Sequence, residues 1–398
     1  MHPADEIRGV KSKKLSRKRI VIGVTGSIAA VETIKLTREL IRYGADVIPI
    51  MTPSSTKIIH PDSLWFATGN KPITELTGKT EHVYFCGKVK NQVDLLLICP
   101  CTANTLSKIA HGIDDTVVTT FTTTAIGSKV PIIIVPAMHL SMYDHKIVQK
   151  NIEECKKLGI KFIEPKIDKY KAKLAESDEI IAYVLRETGK NDLLDKNILI
   201  IGGPTVEPID NIRIFTNKSS GKTAIELSKN AFYRGANVEL WYGSGKEVIP
   251  DFINFNRFES INDLMELLEN RDLKKYNIII LCAAISDYLP KRHKGKISSG
   301  KEKLIIEMYP APKFISKLRK NAPNSKIIGF KVEEKKENLF ERALNLLKIN
   351  NLDFVVANKT SAFSKDESEI WIINKQEKSI HKKGNKSLLA DYILDNIG

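Results

Sequence analysis

The chain has 398 residues, enough for two domains that each bury a core, and no apolar run reaches bilayer-spanning length or opens the chain as a leader would. Five cysteines, an odd number set mostly in apolar surroundings, argue against a disulfide scaffold and for a reducing, cytoplasmic compartment. The net charge of +15 is spread along the whole chain without a long basic tail or interleaved aromatics, which argues against nucleic acid and for phosphate-bearing small ligands.

Residues 1–18 form a polar lead-in made basic by Lys11, Lys13, Lys14, Arg17 and Lys18. It is expected as a solvated tail, with a phosphate-facing role as the alternative. Residues 20–24 then read as a buried strand that breaks at Gly26-Ser27 into a helix with a seam of Ala30, Ile34, Thr37 and Ile41. Gly44 stops that helix, and residues 47–51 make the next strand. This βαβ opening has a tight glycine turn but no G-x-G-x-x-G, so ordinary dinucleotide binding is disfavoured. Further strands are predicted at 95–99 and 132–135, and Cys99 and Cys101 alternate along a strand end, which is no metal spacing.

Residues 187–195, polar and glycine-containing, read as a linker. A second unit follows over 196–398, with strands predicted at 198–201, 238–241, 278–282, 327–330 and 354–357. Its opening echoes the first, either as a repeat or as shared βαβ grammar. Strands alternating with helices predict two α/β domains, doubly wound, with mainly parallel, Rossmann-like sheets and ligands at the strand C-terminal ends. The densest polar stretch lies after the first strand of the second unit. Gly202-Gly203-Pro204 turns the chain, and Asn217, Lys218, Ser219, Ser220 and Lys222 gather amide, hydroxyl and ammonium groups just before a helical pattern over 224–233. A helix N-terminus behind such a loop is an anion site. The spacing is not that of a Walker loop.

Thr205-Val206-Glu207-Pro208-Ile209-Asp210 followed by Asn217-Lys218-Ser219-Ser220-Gly221-Lys222 resembles the phosphopantothenate–cysteine ligase family, whose motifs are T-x-E-P-[IL]-D and N-x-S-S-G-K. In the first unit, the Gly26 turn, Pro100-Cys101-Thr102-Ala103-Asn104-Thr105, Gly112-Ile113-Asp114-Asp115 and Pro136-Ala137-Met138-His139 resemble the flavin-binding cysteine decarboxylases. Both halves in one chain resemble the bifunctional coenzyme A biosynthesis proteins. The resemblance implies a flavodoxin-like decarboxylase domain over 19–186 and a ligase domain over 196–398. It also implies the substrates 4'-phosphopantothenate, cysteine and CTP, the cofactors FMN and Mg2+, and a homo-oligomer that is trimeric through the decarboxylase and dimeric through the ligase.

For the decarboxylase half, the resemblance implies that His82, in Glu81-His82-Val83-Tyr84, is catalytic, and an imidazole suits proton transfer near neutral pH. FMN would be held by Gly26, Ser27, Thr52, Thr102, Asn104 and Met138. Asp114 and Asp115 stand open between ligand and helix cap. Two departures stand out. His139 occupies a position that is more often Asn, a residue that binds the substrate carboxylate; His can donate there too. In place of a covering segment with a cysteine, A-C-G-x-x-G-x-G-R-M, residues 164–174 contain neither Cys nor Gly, which leaves Tyr170 or a lysine as the acid.

For the ligase half, Asn217 is implied to handle an acyl-cytidylate, and Ser219, Ser220 and Gly221 to hold phosphate. Ala283, Asp287 and Phe330 would contact the nucleotide, and Lys296 would offset charge in nucleotidyl transfer. The family's K-I-K reads Lys296-Ile297-Ser298, and two further lysines before Leu352-Asp353 have no clean match, so CTP and ATP both stay open. Metal ligands are not legible. The competing readings are a flavin domain acting on another carboxylate and a non-catalytic, flavin-binding regulatory protein.

Overall fold

The computed structural model describes residues 2–300, 302–334, 336–359 and 367–398. They fall into two units that divide between Gly189 and Lys190. In the first unit the chain runs through α1 (Pro3–Glu6), β1 (Arg19–Val24), a 3-10 turn (Ile28–Glu32), α2 (Thr33–Arg42), β2 (Asp46–Met51), α3 (Pro61–Thr68) and α4 (Glu81–Cys86). Next come β3 (Leu95–Cys101), α5 (Ala103–Ala110), α6 (Val117–Ser128), β4 (Ile132–Pro136), β5 (Met138–His139), α7 (Leu140–Tyr143) and α8 (Lys146–Lys157). The unit ends with β6 (Lys161–Phe162), β7 (Lys166–Asp168), β8 (Lys171–Lys173) and α9 (Ser177–Thr188).

The apolar runs read from sequence become a parallel sheet in the order β2-β1-β3-β4-β6. Every residue of β3 and β4 is buried, which is why these strands show no polar alternation. A separate antiparallel sheet, β5-β8-β7, stands at the end of β4. The expected solvated lead-in is instead packed: Ala4 and Leu15 are fully buried. Its backbone donors close the C-terminal end of α2, Gly9 N donating to Ile41 O at 2.9 Å, Lys11 N to Arg42 O at 3.0 Å and Leu15 N to Tyr43 O at 2.9 Å. A helix end leaves its last carbonyls without partners, and this segment supplies them.

The second unit runs through β9 (Asn197–Gly202), β10 (Val206–Pro208), β11 (Ile214–Thr216), α10 (Lys222–Tyr233), β12 (Asn237–Tyr242), β13 (Asn254–Arg257), α11 (Ile261–Asn270) and β14 (Ile278–Leu281). Then follow β15 (Tyr288–Pro290), β16 (Met308–Pro310), α12 (Phe314–Asn321), β17 (Lys326–Glu333) and α13 (Lys336–Ile349). Last come β18 (Phe354–Lys359), β19 (Glu367–Asn374), β20 (Ser379–Asn385) and α14 (Lys386–Ile397). Eight strands form one sheet, β13-β12-β9-β14-β17-β18-β19-β20. Its pairs are parallel as far as β18, and β19 and β20 add an antiparallel edge that the sequence reading did not assign. Residues from the expected linker pack on this unit, with Leu193 buried and Asp192 bonded to Arg234.

Candidate active sites at the strand ends

In the first unit, parallel pairing brings the C-terminal ends of β2, β1, β3 and β4 side by side, and three backbone donors lace them together. Thr52 N donates to Val24 O at 3.0 Å, and Ala137 N to Cys101 O at 3.1 Å. Thr102 N donates to Thr25 Oγ1 at 3.0 Å, while that hydroxyl donates to Pro100 O at 2.8 Å. Thr25 was not singled out from sequence; a buried hydroxyl directly before the Gly26 turn was the available signal. Gly26 passes so near the neighbouring turn that a Cβ placed on it would lie 2.5 Å from Ser54 Cβ. Only glycine permits that approach.

Ser27, Met138 and His139 line one open hollow of about 710 Å3, together with Glu32 and residues 171–177. Thr52 is buried and its hydroxyl accepts from Ser55 N at 3.3 Å, whereas Thr102 caps α5 through Thr105 N at 3.3 Å. Asn104 is exposed in the first turn of α5. Gly26, Thr52, Thr102 and Asn104 sit at the neighbouring strand ends and do not line the hollow. His82 lies apart from it, on α4, with its ring 6.5 Å from that of Phe121. Its Nδ1 is buried with no hydrogen-bond partner among the described residues, an exception to the pairing expected of buried polar atoms.

In the second unit, three sequence motifs meet at the ends of β9 and β14. Asn217 Nδ2 donates to Ala284 O at 2.9 Å, Thr216 Oγ1 to Thr205 O at 2.7 Å, and Ser286 N to Thr205 Oγ1 at 3.0 Å. Ser219, Ser220, Gly221, Ala283 and Phe330 line one cavity of about 120 Å3 at the N-terminus of α10. At its start Lys222 N donates to Ser220 Oγ at 3.3 Å and Ala224 N to Gly221 O at 3.1 Å, so what the helix offers an anion at this cavity is the positive end of its dipole. The loop is held from below: Tyr242 Oη donates to Ser220 O at 3.1 Å and Lys246 N to the same oxygen at 3.0 Å. Burial pushes the Tyr242 phenol up to about 12, so it stays protonated and donates. Burial likewise pushes the Cys282 thiol, in the cavity wall, up to about 12.

The same cavity is lined by Lys222, Asn358, Ser368 and Lys386. The last three were missed, because they arrive on β18, β19 and α14, beyond the motifs. The Asn358 Oδ1 atom is buried with no hydrogen-bond partner among the described residues. Asp287 and Lys296 do not line this cavity. Asp287 is exposed and paired with Lys313 at 2.6 Å. Lys296 is exposed on a loop anchored by the buried Asp210, whose carboxylate accepts from Ile212 N at 2.7 Å, Arg213 N at 2.6 Å, Arg213 Nη1 at 2.6 Å and Ile297 N at 3.0 Å. Those backbone donors, from Arg213 and then Ile297, hold the Asp210 carboxyl well below the usual carboxylate range. Asn211 N to Gly295 O at 3.2 Å and His293 N to Ile209 O at 2.8 Å complete the tie between the T-x-E-P-I-D turn and the Lys296 loop.

Among the described residues no helix is long and apolar enough to cross a membrane, and no three His, Cys, Asp or Glu side chains group as a metal site. Residues 8–189 match the flavoprotein family, and residues 193–398 match the DNA/pantothenate metabolism flavoprotein C-terminal domain. The coenzyme A biosynthesis bifunctional protein CoaBC of Thermococcus kodakarensis is 43% identical over 402 residues, covering 100% of this chain and 99% of that protein. The protein of the same name from Methanocaldococcus jannaschii is 39% identical, covering 100% and 97%, and that from Escherichia coli K12 is 30% identical, covering 96% and 97%. With two strand-end sites on two α/β units and relatives matched from end to end, the chain belongs to the family of bifunctional coenzyme A biosynthesis proteins, a flavoprotein domain followed by a pantothenate-metabolism domain.

Proposed function

We propose that this chain, acting in the cytoplasm, joins 4'-phosphopantothenate to cysteine at the expense of CTP and then decarboxylates the product to 4'-phosphopantetheine. The observation that carries this reading is the union of the two sites in one chain, one built around an anion-binding loop and the other around a glycine cradle.

In the ligase half, a carboxylate must become an acyl-nucleotide before an amine can displace the nucleotide. Ser219, Ser220 and the positive end of the α10 dipole are proposed to hold the phosphate, with Lys222 and Lys386 adding positive charge around the same cavity. Ala283 and Phe330 flank the nucleotide, which Asp287 contacts after exchanging its Lys313 partner. Asn217, fixed through Nδ2 on Ala284 O, keeps its Oδ1 for the acyl-cytidylate. Lys296 neutralises charge that develops on the departing pyrophosphate. Mg2+ is proposed to enter as the companion of the triphosphate, offsetting its charge.

In the flavoprotein half, the Gly26 turn, packed so closely on Ser54 that no Cβ is admitted, and the strand-end hydroxyls of Ser27, Thr52 and Thr102 are proposed to hold the phosphate of FMN, with Asn104 and Met138 beside it. Bound there, FMN would supply two-electron redox chemistry to the cysteinyl thiol group, oxidation before carbon dioxide leaves and reduction after. His82, with its unpaired buried Nδ1, is proposed to move the proton of that oxidation. The halves are proposed to assemble as a trimer through the flavoprotein unit and a dimer through the ligase unit.

The test is product analysis of the purified chain with 4'-phosphopantothenate, cysteine, Mg2+ and either CTP or ATP. Release of pyrophosphate and carbon dioxide with 4'-phosphopantetheine is expected with CTP. Accumulation of 4'-phosphopantothenoylcysteine without carbon dioxide would refute the decarboxylase, and ATP matching CTP would refute the nucleotide assignment.

A further inference from the structure

The two places where the first unit departs from its family pattern are His139 and the Cys-less segment 164–174, and the fold makes them partners. That segment is a hairpin, with Lys166↔Lys173, Ile167↔Ala172 and Asp168↔Lys171 paired. Its second strand pairs with β5, Met138 opposite Ala172 and His139 opposite Lys171, and Leu140 N donates to Tyr170 O at 2.9 Å. Residues directly opposite in antiparallel strands share a face of the sheet. His139 and Lys171 therefore stand side by side, and both line the 710 Å3 hollow together with Ser27 and Met138.

The reaction under the proposed function needs an acid here. Loss of carbon dioxide leaves an ene-thiolate, and the carbon that carried the carboxylate must gain a proton before the chain of two carbons is saturated. Of the ionisable groups on the hollow, Glu32 and Glu176 accept rather than donate when ionised. Lys173 is bound by Asp168. His139 Nδ1 accepts from Ser141 N at 3.3 Å as the cap of α7, which leaves Nε2–H as the donor of the neutral ring. Lys171 is exposed and forms no ion pair among the described residues. Tyr170, 74% exposed, does not line the hollow.

We infer that Lys171 is the general acid of this decarboxylase and that His139, its cross-strand neighbour, binds the substrate carboxylate through Nε2–H. In the step assigned to Lys171, an ammonium N–H breaks and a C–H bond forms at the carbon that lost carbon dioxide. The C=C electron pair becomes that C–H bond, and a thiolate lone pair forms C=S. The neutral amine is then reprotonated from water. The inference rests on the decarboxylase reading above.

The experiment uses the full chain with FMN bound and 4'-phosphopantothenoylcysteine, without oxygen. It follows carbon dioxide, 4'-phosphopantetheine and the flavin absorbance. Wild type is expected to give equal amounts of both products. Lys171→Met and Lys171→Arg are expected to bind the same flavin per chain and to release one carbon dioxide per flavin. They then stop, with the flavin bleached and phosphopantetheine formation lowered about 100-fold or more. Tyr170→Phe should behave as wild type. Product formation by Lys171→Met at the wild-type rate would overturn the inference. So would a raised KM that Lys171→Arg restores, with both products falling in step, because that result makes Lys171 an anion anchor. A wild type that releases no carbon dioxide would instead sink the decarboxylase reading, and this inference with it.

Discussion

Gly221→Ala is the substitution for which the structure of the ligase site gives a worked magnitude. Gly221 has φ +82°, in the left-handed region, and a Cβ there would lie 2.2 Å from Tyr242 Oη, 2.6 Å from Cζ and 2.7 Å from Cε2. The backbone penalty for an L-residue in that region is about 1–2 kcal/mol. Overpacking against a rigid neighbour adds about 1–3 kcal/mol. Tyr242 cannot yield cheaply, because it is fully buried and its hydroxyl is bonded to Ser220 O at 3.1 Å. The expected cost is therefore about 2–5 kcal/mol. The cheapest relief is to move the 219–221 loop out of the anion-binding position, so the same energy reappears as a loss of ligand affinity of roughly 30- to 5,000-fold. The assay is the KM for 4'-phosphopantothenate and CTP in the ligation step, beside decarboxylation of supplied 4'-phosphopantothenoylcysteine as an internal control. Ligation should fail while decarboxylation stays within about twofold, since each unit has its own core. Wild-type KM values with an unchanged melting temperature would show that the loop accepts a side chain, and the argument from Tyr242 would be wrong.

Gly26→Ala should weaken FMN binding by roughly 5- to 150-fold through overpacking against Ser54, read as flavin retained after dialysis; unchanged retention would sink the cradle. Asp210→Asn keeps one acceptor oxygen and turns an N–H2 toward donors, so the Lys296 loop should loosen. Faster tryptic cleavage after Arg292, Lys294 or Lys296, with slowed ligation, is the expected pair of results; unchanged cleavage refutes the anchor. Burial works against ionisation of Asp353, but hydrogen bonds from Ile327 N, Lys375 and Arg319 outweigh it and hold its carboxyl below the ordinary range. Its folded value lies below its unfolded value, so its contribution is fully present above pH of about 4–5 and is lost as pH falls through the folded value. Asp353→Asn should accordingly cost about 2–3 kcal/mol in denaturant unfolding at pH 7, and the gap to wild type should narrow below pH of about 4; a constant gap would refute it.

What could be read from the sequence was what the chain writes locally. The strands at 20–24, 95–99, 198–201 and 278–282 are apolar runs in a sheet covered on both faces, and each predicted span lies within a residue or two of its strand. Glycine turns after β1 and β9, and the hydroxyl-rich loop before α10, marked the strand ends where the two cavities lie. Everything missed depends on partners far along the chain. The lead-in carries a basic composition that reads as solvated, yet Leu15 finds a buried place because the end of α2 needs donors. The apolar run Ile370-Trp371-Ile372-Ile373 carried a strand signal that was not assigned, and only pairing could reveal that β18 and β19 seat Asn358 beside Ile370. Asn358 and Ser368 then face the same cavity as Ser220, and α14 brings Lys386 to it. In 164–174, the pattern polar–apolar–polar on both sides of Lys169-Tyr170 was the hairpin signal, with Ala172 turned inward. Without the register, the residues that replace a missing cysteine are five candidates of equal standing: Tyr170, Lys166, Lys169, Lys171 and Lys173. With it, the geometry of one cross-strand pair singles out Lys171, because only that lysine both stands opposite His139 and forms no ion pair among the described residues, the Asp168 carboxylate across from it being bound to Lys173.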